Sequence, residues 1–295
     1  MILLTGSSGF LGRQIVESIG AAHIKTLARH NADYLFDLKT TIPVFSNTFE
    51  TVIHAAAKAH SVPKTDAEKQ DFFDVNVKGT QNLLRGLEQS GKLPKHFVFI
   101  STIAVYGIDK GELITEDAPL LAVDPYGQSK IQAERIISEW GMKHNVIITL
   151  LRLPLLAGAN PPGNLAAMIN GIKKGYYFNI AGGDAKKSMV LISDVAKIIP
   201  VVAPIGGFYN LTDGVHPSFF ELSKNIAEQL NKPVPHNIPH AVAKIMALAG
   251  DIIGSKSPIN SNKLDKITSG LTFDDTKAHD LLGWQPVPVL NGLKL

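Results

Sequence analysis

The 295-residue chain predicts an α/β fold in which a doubly wound parallel sheet is followed by a smaller, less regular lobe. Three observations carry that expectation. Short β-rich runs alternate with helical periodicity through the first half, a glycine turn joins the first run to the first helix, and the rhythm loosens beyond Pro154. The runs are Met1–Thr5, Ile24–Arg29, Thr51–Ala55, Phe97–Ser101 and Val146–Arg152, and their alternation with helices argues for a parallel sheet covered on both faces. A helix is expected from Phe10 to about Ile19. Phe73, Val77, Thr80, Leu84 and Leu87 recur at the spacing of one helix face, as do Ala133, Ile137 and Trp140 behind Pro125. Later, Pro161-Pro162-Gly163 and Gly182-Gly183 mark loops, and helices are expected at Pro217–Leu230 and His240–Gly250. The expected division is residues 1–153 with a return segment near 187–212, against a second lobe of 154–186 and 213–295.

Composition narrows the function classes. Apolar residues make up 45% and charged residues 19%, an ordinary globular balance that excludes a disordered or collagen-like chain. A net charge of +3 is too mild to imply a nucleic-acid partner, yet it does not repel a small anion. Cysteine is absent, which excludes disulfides, thiolate-bound metals and a thiol nucleophile and fits a reducing compartment, with the cytoplasm expected. No basic segment precedes the apolar start. The longest apolar stretch, roughly Ala241 to Gly254, is interrupted by Lys244 and Asp251 and is shorter than the ~20 residues of a bilayer span. A buried or half-buried helix is expected there, with no membrane partner.

Gly6, Gly9 and Gly12 stand between the first strand and its helix, around Phe10 and Leu11. A side chain at such a turn would keep the backbone away from a pyrophosphate, and the helix behind it aims free N–H groups at the phosphates. A dinucleotide site follows. At the end of the second strand, Leu27-Ala-Arg29-His30 holds no acid for a ribose 2′-hydroxyl; Arg29 would suit the 2′-phosphate of NADP(H), or is a solvated strand-end residue. Asp37, beside Leu38, is a candidate for the adenine; a turn-stabilising aspartate is the alternative.

Tyr126-Gly-Gln-Ser-Lys130 carries the chemistry. Pro125 opens a helix, and the four-residue spacing puts Tyr126 and Lys130 on one face. An ammonium near the phenol favours the phenolate, which makes a proton donor and acceptor suited to alcohol–ketone interconversion. The ten histidines suggest no metal site. Pro235 and Pro239 break the helix that would align His236 with His240. His54 reads as a satisfied buried histidine, and His60 as either a site residue or a plain loop residue.

Taken in order, Thr5-Gly-Ser-Ser-Gly-Phe-Leu-Gly12, Val52-Ile-His-Ala-Ala-Ala57, Asn76-Val-Lys-Gly-Thr80, Ile100-Ser-Thr-Ile-Ala-Val-Tyr-Gly107, Pro125-Tyr-Gly-Gln-Ser-Lys130, Leu151-Arg152, Asp274-Asp-Thr-Lys277 and Leu282-Gly-Trp-Gln-Pro286 span nearly the whole chain. The chain resembles the extended short-chain dehydrogenase/reductase family of NAD-dependent epimerases and dehydratases, closest in look to the UDP-galactose (UDP-glucose) 4-epimerase-like branch. That resemblance implies a Rossmann-type domain with a discontinuous C-terminal substrate lobe. It also implies one NADP(H) or NAD(H) per chain and a cytoplasmic homodimer of the kind used in polysaccharide biosynthesis. Tyr126 would be the acid/base, and Lys130 its partner and the holder of the nicotinamide ribose. Thr102 would bond the reacting hydroxyl, unless it caps its own backbone. Ala55, Ala56 and Ala57 would let the cofactor approach, with Lys58 and Pro154 beside it, and Asn76 would be a structural hydrogen-bonder. Asn164, Lys187 and Lys266 would hold the substrate diphosphate; Leu155 stands where the classical epimerases have Asn.

The activity implied is hydride transfer at C4 of a UDP-linked hexose, with epimerisation of the ketone formed. Arg29 and Leu155 keep open an NADPH-dependent 4-keto-sugar reductase for deoxysugar or amino-sugar precursors. A non-catalytic NADP(H)-sensing protein is the third reading, though it would not need Tyr126, Lys130 and Thr102 together. Apolar faces in 71–88 and 126–140 permit pairing across a two-fold axis without requiring it, and the resemblance implies that they pair as a four-helix bundle.

Overall fold

The computed structural model describes residues 1–59, 61–253 and 260–295. Strand β1 (Ile2–Thr5) enters the glycine turn and helix α1 (Phe10–Ile19), with the bounds the periodicity predicts. Then come β2 (Ile24–Ala28), β3 (Tyr34–Leu35) and β4 (Thr51–His54). A long helical passage follows as α2 (Asp66–Phe73), a π turn (Asp74–Lys78) and α3 (Gly79–Gln89). Next are β5 (His96–Thr102), β6 (Gly111–Ile114), α4 (Pro125–His144) and β7 (Ile147–Leu153). Beyond Pro154 the elements shorten. They are β8 (Leu155–Ala157), α5 (Gly163–Lys174), β9 (Asn179–Ile180), β10 (Met189–Leu191), α6 (Ile192–Val202) and β11 (Gly207–Asn210), then α7 (Phe219–Gln229), β12 (Asn237–Ile238), α8 (His240–Ile253), α9 (Ser261–Thr268), β13 (Leu271–Phe273), α10 (Thr276–Leu282) and α11 (Val289–Gly292).

Seven strands form one sheet in the order β11-β7-β5-β4-β1-β2-β3, and every neighbouring pair is parallel. This is the Rossmann-type doubly wound arrangement expected from the alternating pattern. Leu11 and Ile15 of α1 pack with Val195 and Ile199 of α6 in one core cluster; Leu83 and Leu87 of α3 pack with Ala133 and Ile137 of α4 in another. Strand order reverses between β1 and β4, and at such a switch point the loops leaving the two strands part in opposite directions and leave a crevice. The later chain adds the two-stranded pairs β8–β10, β9–β12 and β6–β13. The last of these crosses the division expected at residue 153, because β6 pairs with a strand near the C-terminus.

The π turn changes one reading of the sequence. A π turn spends an extra residue per turn, so it rotates the helix faces on either side of it out of step. The buried stripe runs through Phe72, Asn76, Thr80, Leu83, Leu84 and Leu87, while Phe73 and Val77 are only half-buried. Nor do 71–88 and 126–140 present exposed large apolar side chains. Helix α2 packs on α4, with the Phe72 ring 6.1 Å from that of Tyr126. Helix α8 departs from expectation in the opposite sense. Among its described side chains it buries only Ala243, Ala247 and Gly250 and leaves Val242, Ile245, Met246, Leu248 and Ile252 in the open.

Two interactions lock the first turn and the neighbouring strand end. A Cβ on Gly12 would lie 2.0 Å from the Gly6 carbonyl oxygen, and Gly6 itself takes φ +74° against the backbone of Ala55 and Ala56. His54 anchors a polarised chain. The Ala56 N–H donates to Thr5 Oγ1 (3.1 Å), and the Thr5 hydroxyl to His54 Nδ1 (2.7 Å). His54 Nε2–H then donates to Thr80 Oγ1 (2.9 Å), whose hydroxyl donates to the Asn76 carbonyl (2.6 Å). Since Thr80 spends its proton on Asn76, His54 must be the neutral Nε2–H tautomer. Burial, with the Lys130 charge adding to it, holds its pKa down to about 3.

Two outcomes follow from these contacts. Gly12→Ala is expected to lower the unfolding free energy in urea by about 1–3 kcal/mol or more, whereas Ser8→Ala, at an exposed position, leaves it nearly unchanged. Nitrogen-15 NMR is expected to show His54 neutral as pH falls from 7 to 4. Because the unfolded imidazole takes up a proton that the folded one refuses, His54 contributes stability above pH 6.5 that is lost as pH falls toward 3.

Candidate active site

A cleft of about 590 Å³ opens over the strand ends at the switch point. Gly6, Gly9, Phe10, Leu11 and Gly12 form one wall and Ala55 and Ala57 the rim after β4. Thr102, Tyr126 and Lys130 come from the end of β5 and the start of α4, and Pro154 and Leu155 close the far side. The volume lies within the range of small-molecule sites. Helix α1 begins at the cleft with no side-chain cap and no acid in its first turn, so its leading N–H groups and the positive end of its dipole face the space.

Asp124 caps α4 through its bond with the Gly127 N–H (3.0 Å), and Pro125 follows at the first helical position, which aims Tyr126 and Lys130 into the cleft from one helix face. The Thr102 hydroxyl oxygen accepts from the Ala104 N–H (3.2 Å), so it caps its own backbone while it lines the cleft beside Tyr126. Burial raises the Tyr126 pKa and the nearby Asp124 adds to that, while the Thr102 side chain acts to lower it. The lowering of the phenol expected from Lys130 is therefore not what these surroundings produce. Lys130 Nζ donates instead to the Ile100 carbonyl (2.6 Å) and lies 3.8 Å from the centre of the Phe99 ring. Burial brings its pKa down to about 7, against an upward pull from Glu134.

Glu134 stands one turn beyond Lys130 and was not anticipated. Its carboxylate accepts from Arg152 Nη2 (2.9 Å) and Nε (3.3 Å) and from the Ser101 hydroxyl, all of them buried. Arg152 Nη1 continues to the Tyr106 hydroxyl (3.1 Å) and the Glu116 carbonyl (3.2 Å). Tyr106 then donates to Asn210 Oδ1 (2.8 Å), and the Asn210 amide holds the carbonyls of Ile114 and Asp274 (3.2 Å each). One network thus joins α4, β5, β7 and β11 to the β6–β13 layer. The same four-residue step that pairs Tyr126 with Lys130 leads to Glu134, so the signal was in the sequence. Arg13 was also missed. It lines the cleft directly after Gly12, its guanidinium held by the Ser8 carbonyl (2.7 Å).

The remaining expected residues divide. Ala56 sits behind the glycine turn, and its N–H is part of the His54 chain. Arg29 is exposed just past β2, outside the cleft lining. Asp37 accepts from the Lys39 N–H (3.0 Å) and so stabilises its own turn, while Leu38 is buried in the core. Lys58 turns its ammonium to Asp71 (2.7 Å), and its backbone is gripped at both ends by the Asn76 amide (2.7 and 3.1 Å), which also donates to Ser129 (2.9 Å). Asn164 is exposed in the first turn of α5. Lys187 and Lys266 are close enough to repel, Lys266 being paired with Asp109 at 3.1 Å and Lys187 half-buried with its pKa lowered by burial. None of these residues lines the cleft. Among the described residues no cluster of three His, Asp or Glu forms a metal site, and His60 lies outside the described residues.

Comparison with known proteins bears on this geometry. The model of the NAD dependent epimerase/dehydratase family matches residues 2–205. An N-acetyl-alpha-D-glucosaminyl-diphospho-ditrans,octacis-undecaprenol 4-epimerase from Escherichia coli O157:H7 is 28% identical, over 99% of this chain and 92% of its own length. A UDP-glucose 4-epimerase from Vibrio cholerae is 29% identical, over 98% of this chain and 92% of its own. The UDP-glucose 4-epimerase of Thermus thermophilus, solved in complex with NAD, superposes with a TM-score of 0.73 at 23% identity, over 99% of this chain and 96% of that one, and so shares the fold.

The two kinds of ion pair on α4 should separate cleanly in urea denaturation. Glu134→Gln strands a buried guanidinium and is expected to lower stability by about 3–5 kcal/mol. Glu139→Gln, which breaks an exposed pair with Arg135, is expected to leave it nearly unchanged.

Proposed function

The chain belongs to the NAD dependent epimerase/dehydratase family, and from that premise we propose that it is a 4-epimerase of hexoses carried on a diphosphate, UDP-linked in the simplest case. The observation that carries the reading is the convergence of Tyr126, Lys130 and Thr102 on one cleft with an uncapped helix N-terminus across from them. Two near-full-length relatives that are 4-epimerases support it. The ketoreductase alternative rests on Arg29 and Leu155 alone, and a non-catalytic sensor would have no use for the three polar groups at the cleft.

The glycine turn fits a dinucleotide. Gly12 and Gly6 are required by contacts within the chain; at Gly9, whose φ of −70° suits any residue, a Cβ would meet the Gly6 carbonyl oxygen tightly, at 3.1 Å. Gly9 also lines the cleft, where a bare backbone lets a ligand approach. A pyrophosphate would lie against Gly9, Phe10 and Leu11, with Arg13 supplying a positive charge beside them. Ala55 and Ala57 would flank the adenosine half, and Lys130 and Pro154 the nicotinamide half. We assign one NAD per chain. Bound there, it supplies reversible hydride acceptance and return at the sugar carbon.

The protein's own part is positioning and proton transfer. Tyr126 takes the proton from the C4 hydroxyl as the ketone forms and returns it to the C4 oxygen once the sugar has turned, while Thr102, at the same wall of the cleft, orients that hydroxyl. The burial that raises the Tyr126 pKa also keeps water from the ketone. Lys130, one helical turn from Tyr126 at the same cleft, is the cation that would offset the phenolate. Asn164, Lys187 and Lys266 are assigned to the diphosphate, where the two lysines' mutual repulsion would be relieved by an anion between them. Residues 1–153 with the return near 187–212 would serve the dinucleotide, and 154–186 with 213–295 the sugar diphosphate. We assign a cytoplasmic homodimer formed through the 71–88 and 126–140 segments.

Tyr126→Phe is expected to cut 4-epimerase turnover of UDP-glucose or UDP-N-acetylglucosamine by about 10²–10⁴-fold with the dinucleotide content of the purified protein unchanged. Turnover that survives the change would sink the assignment.

A further inference from the structure

Helix α8 is built inside out. Its small residues Ala243, Ala247 and Gly250 are buried, the two alanines against Leu264 of α9 and beside Ile180 and Ile238. Its large ones are in the open: Ile252 is 90% exposed, Ile245 69%, Leu248 54%, Val242 48% and Met246 45%. On a helical projection Val242, Ile245, Leu248 and Ile252 cover the side away from the packed alanines, Met246 borders the packed face, and the charged Lys244 and Asp251 fall between the two faces on the other flank. No core position requires an apolar face of this kind, and isolated exposed side chains do not explain a contiguous one. With 14 residues, α8 is about 21 Å long, too short to span a bilayer; none of the described helices is long and apolar enough to do so. A helix of this length and composition suits the plane of a membrane surface, with its apolar side sunk toward the acyl chains. The sequence expectation of no membrane partner rested on length, which excludes a span and leaves a surface helix open.

We propose that α8 seats the enzyme on an anionic bilayer, which presents to the cleft a hexose whose diphosphate is carried by a membrane lipid. Charge favours that occupant over a second copy of this chain. The described residues between 232 and 268 hold Lys232, Lys244, Lys263 and Lys266 against Asp251 and Asp265, with Lys266 also paired to Asp109, and the small positive excess left favours anionic headgroups over a second, equally positive copy. Position favours it too. Helix α9, on which α8 lies, carries Lys266, the neighbour of Lys187, so the apolar face is one helix layer, about 8–10 Å between axes, from the lysines assigned to the diphosphate. The relative from E. coli O157:H7 is named for a substrate joined through a diphosphate to undecaprenol, a hydrocarbon chain that only a bilayer retains. The substrate part of the proposal rests on the 4-epimerase reading; the membrane contact does not.

The test is sedimentation of the full-length protein with vesicles of phosphatidylglycerol and phosphatidylethanolamine at low salt, with no substrate present. The wild type is expected in the pellet. Ile245→Ser, Leu248→Ser and Ile252→Ser combined should reduce partitioning at least about tenfold while leaving turnover of a soluble UDP-hexose unchanged. A wild type that stays in the supernatant, or a triple variant that binds as well as the wild type, overturns the proposal. So does light scattering in which the triple variant alone loses a dimer and neither protein meets the vesicles, since α8 would then be a self-interface. Vesicle binding without turnover of any soluble or lipid-linked sugar would overturn the 4-epimerase reading and the substrate part with it, and leave the membrane contact standing.

Discussion

The buried pairing of Arg152 with Glu134 is the interaction on which the rest of the structure leans. Two charges have been taken out of water at the junction of α4, β5 and β7, a choice that costs several kcal/mol per ion unless every donor and lone pair finds a partner. Here both carboxylate oxygens and four of the five guanidinium N–H groups are engaged. Ser101 and Arg152 share the carboxylate, and Nη1 spends its two donors on Tyr106 and the Glu116 carbonyl. The rotation of α4 about its axis is thereby fixed, and with it the direction in which Tyr126 and Lys130 leave the helix two turns and one turn earlier. The same guanidinium reaches Asn210 through Tyr106, so the β6–β13 layer is registered to α4 by one continuous polar network.

A second constraint works from the other side of the crevice. Gly12 lets α1 come down against the Gly6 carbonyl, and the His54 chain ties the β4 end to the π turn that carries Asn76. Asn76 then clamps the backbone of Lys58 and reaches Ser129 on α4. The two walls of the cleft are therefore tied at both ends of α4's first turns, by Asn76 to Ser129 and by Arg152 to Glu134. Catalysis by positioning requires this kind of over-determined support, because a phenol one ångström out of place forfeits much of the advantage of being bound.

Much of this was legible in the sequence, and the misses share a physical cause. Parallel strands between helices, the glycine turn and the tyrosine–lysine step all repeat over short distances, so spacing alone reveals them. The π turn does not, because inserting one residue into a helix leaves the composition intact and only shifts the phase, which is why Phe73 and Val77 were expected in place of Phe72 and Asn76. Strand β3 has two residues and β11 opens on a glycine, so neither has enough length for a period to show. Helix α8 is apolar almost all round, and hydropathy cannot say that the alanines rather than the isoleucines would be packed. Arg13 and Glu134 were overlooked although both follow directly from motifs already read, one residue past the third glycine and one helical turn past the lysine. Lys58 and Asp37 were expected at the cofactor, but their side chains are spent on Asp71 and on a local turn, commitments that only tertiary contacts reveal.

What unites these features is a 4-epimerase account in which the hydride never leaves the protein and Tyr126 moves the only proton. Its most direct measurement is proton NMR of the purified protein with UDP-glucose or UDP-N-acetylglucosamine in deuterium oxide and no added dinucleotide. The account predicts interconversion of the C4 epimers with the C4 hydrogen retained. Conversion that requires added NADPH, or deuterium appearing at C4, would contradict it.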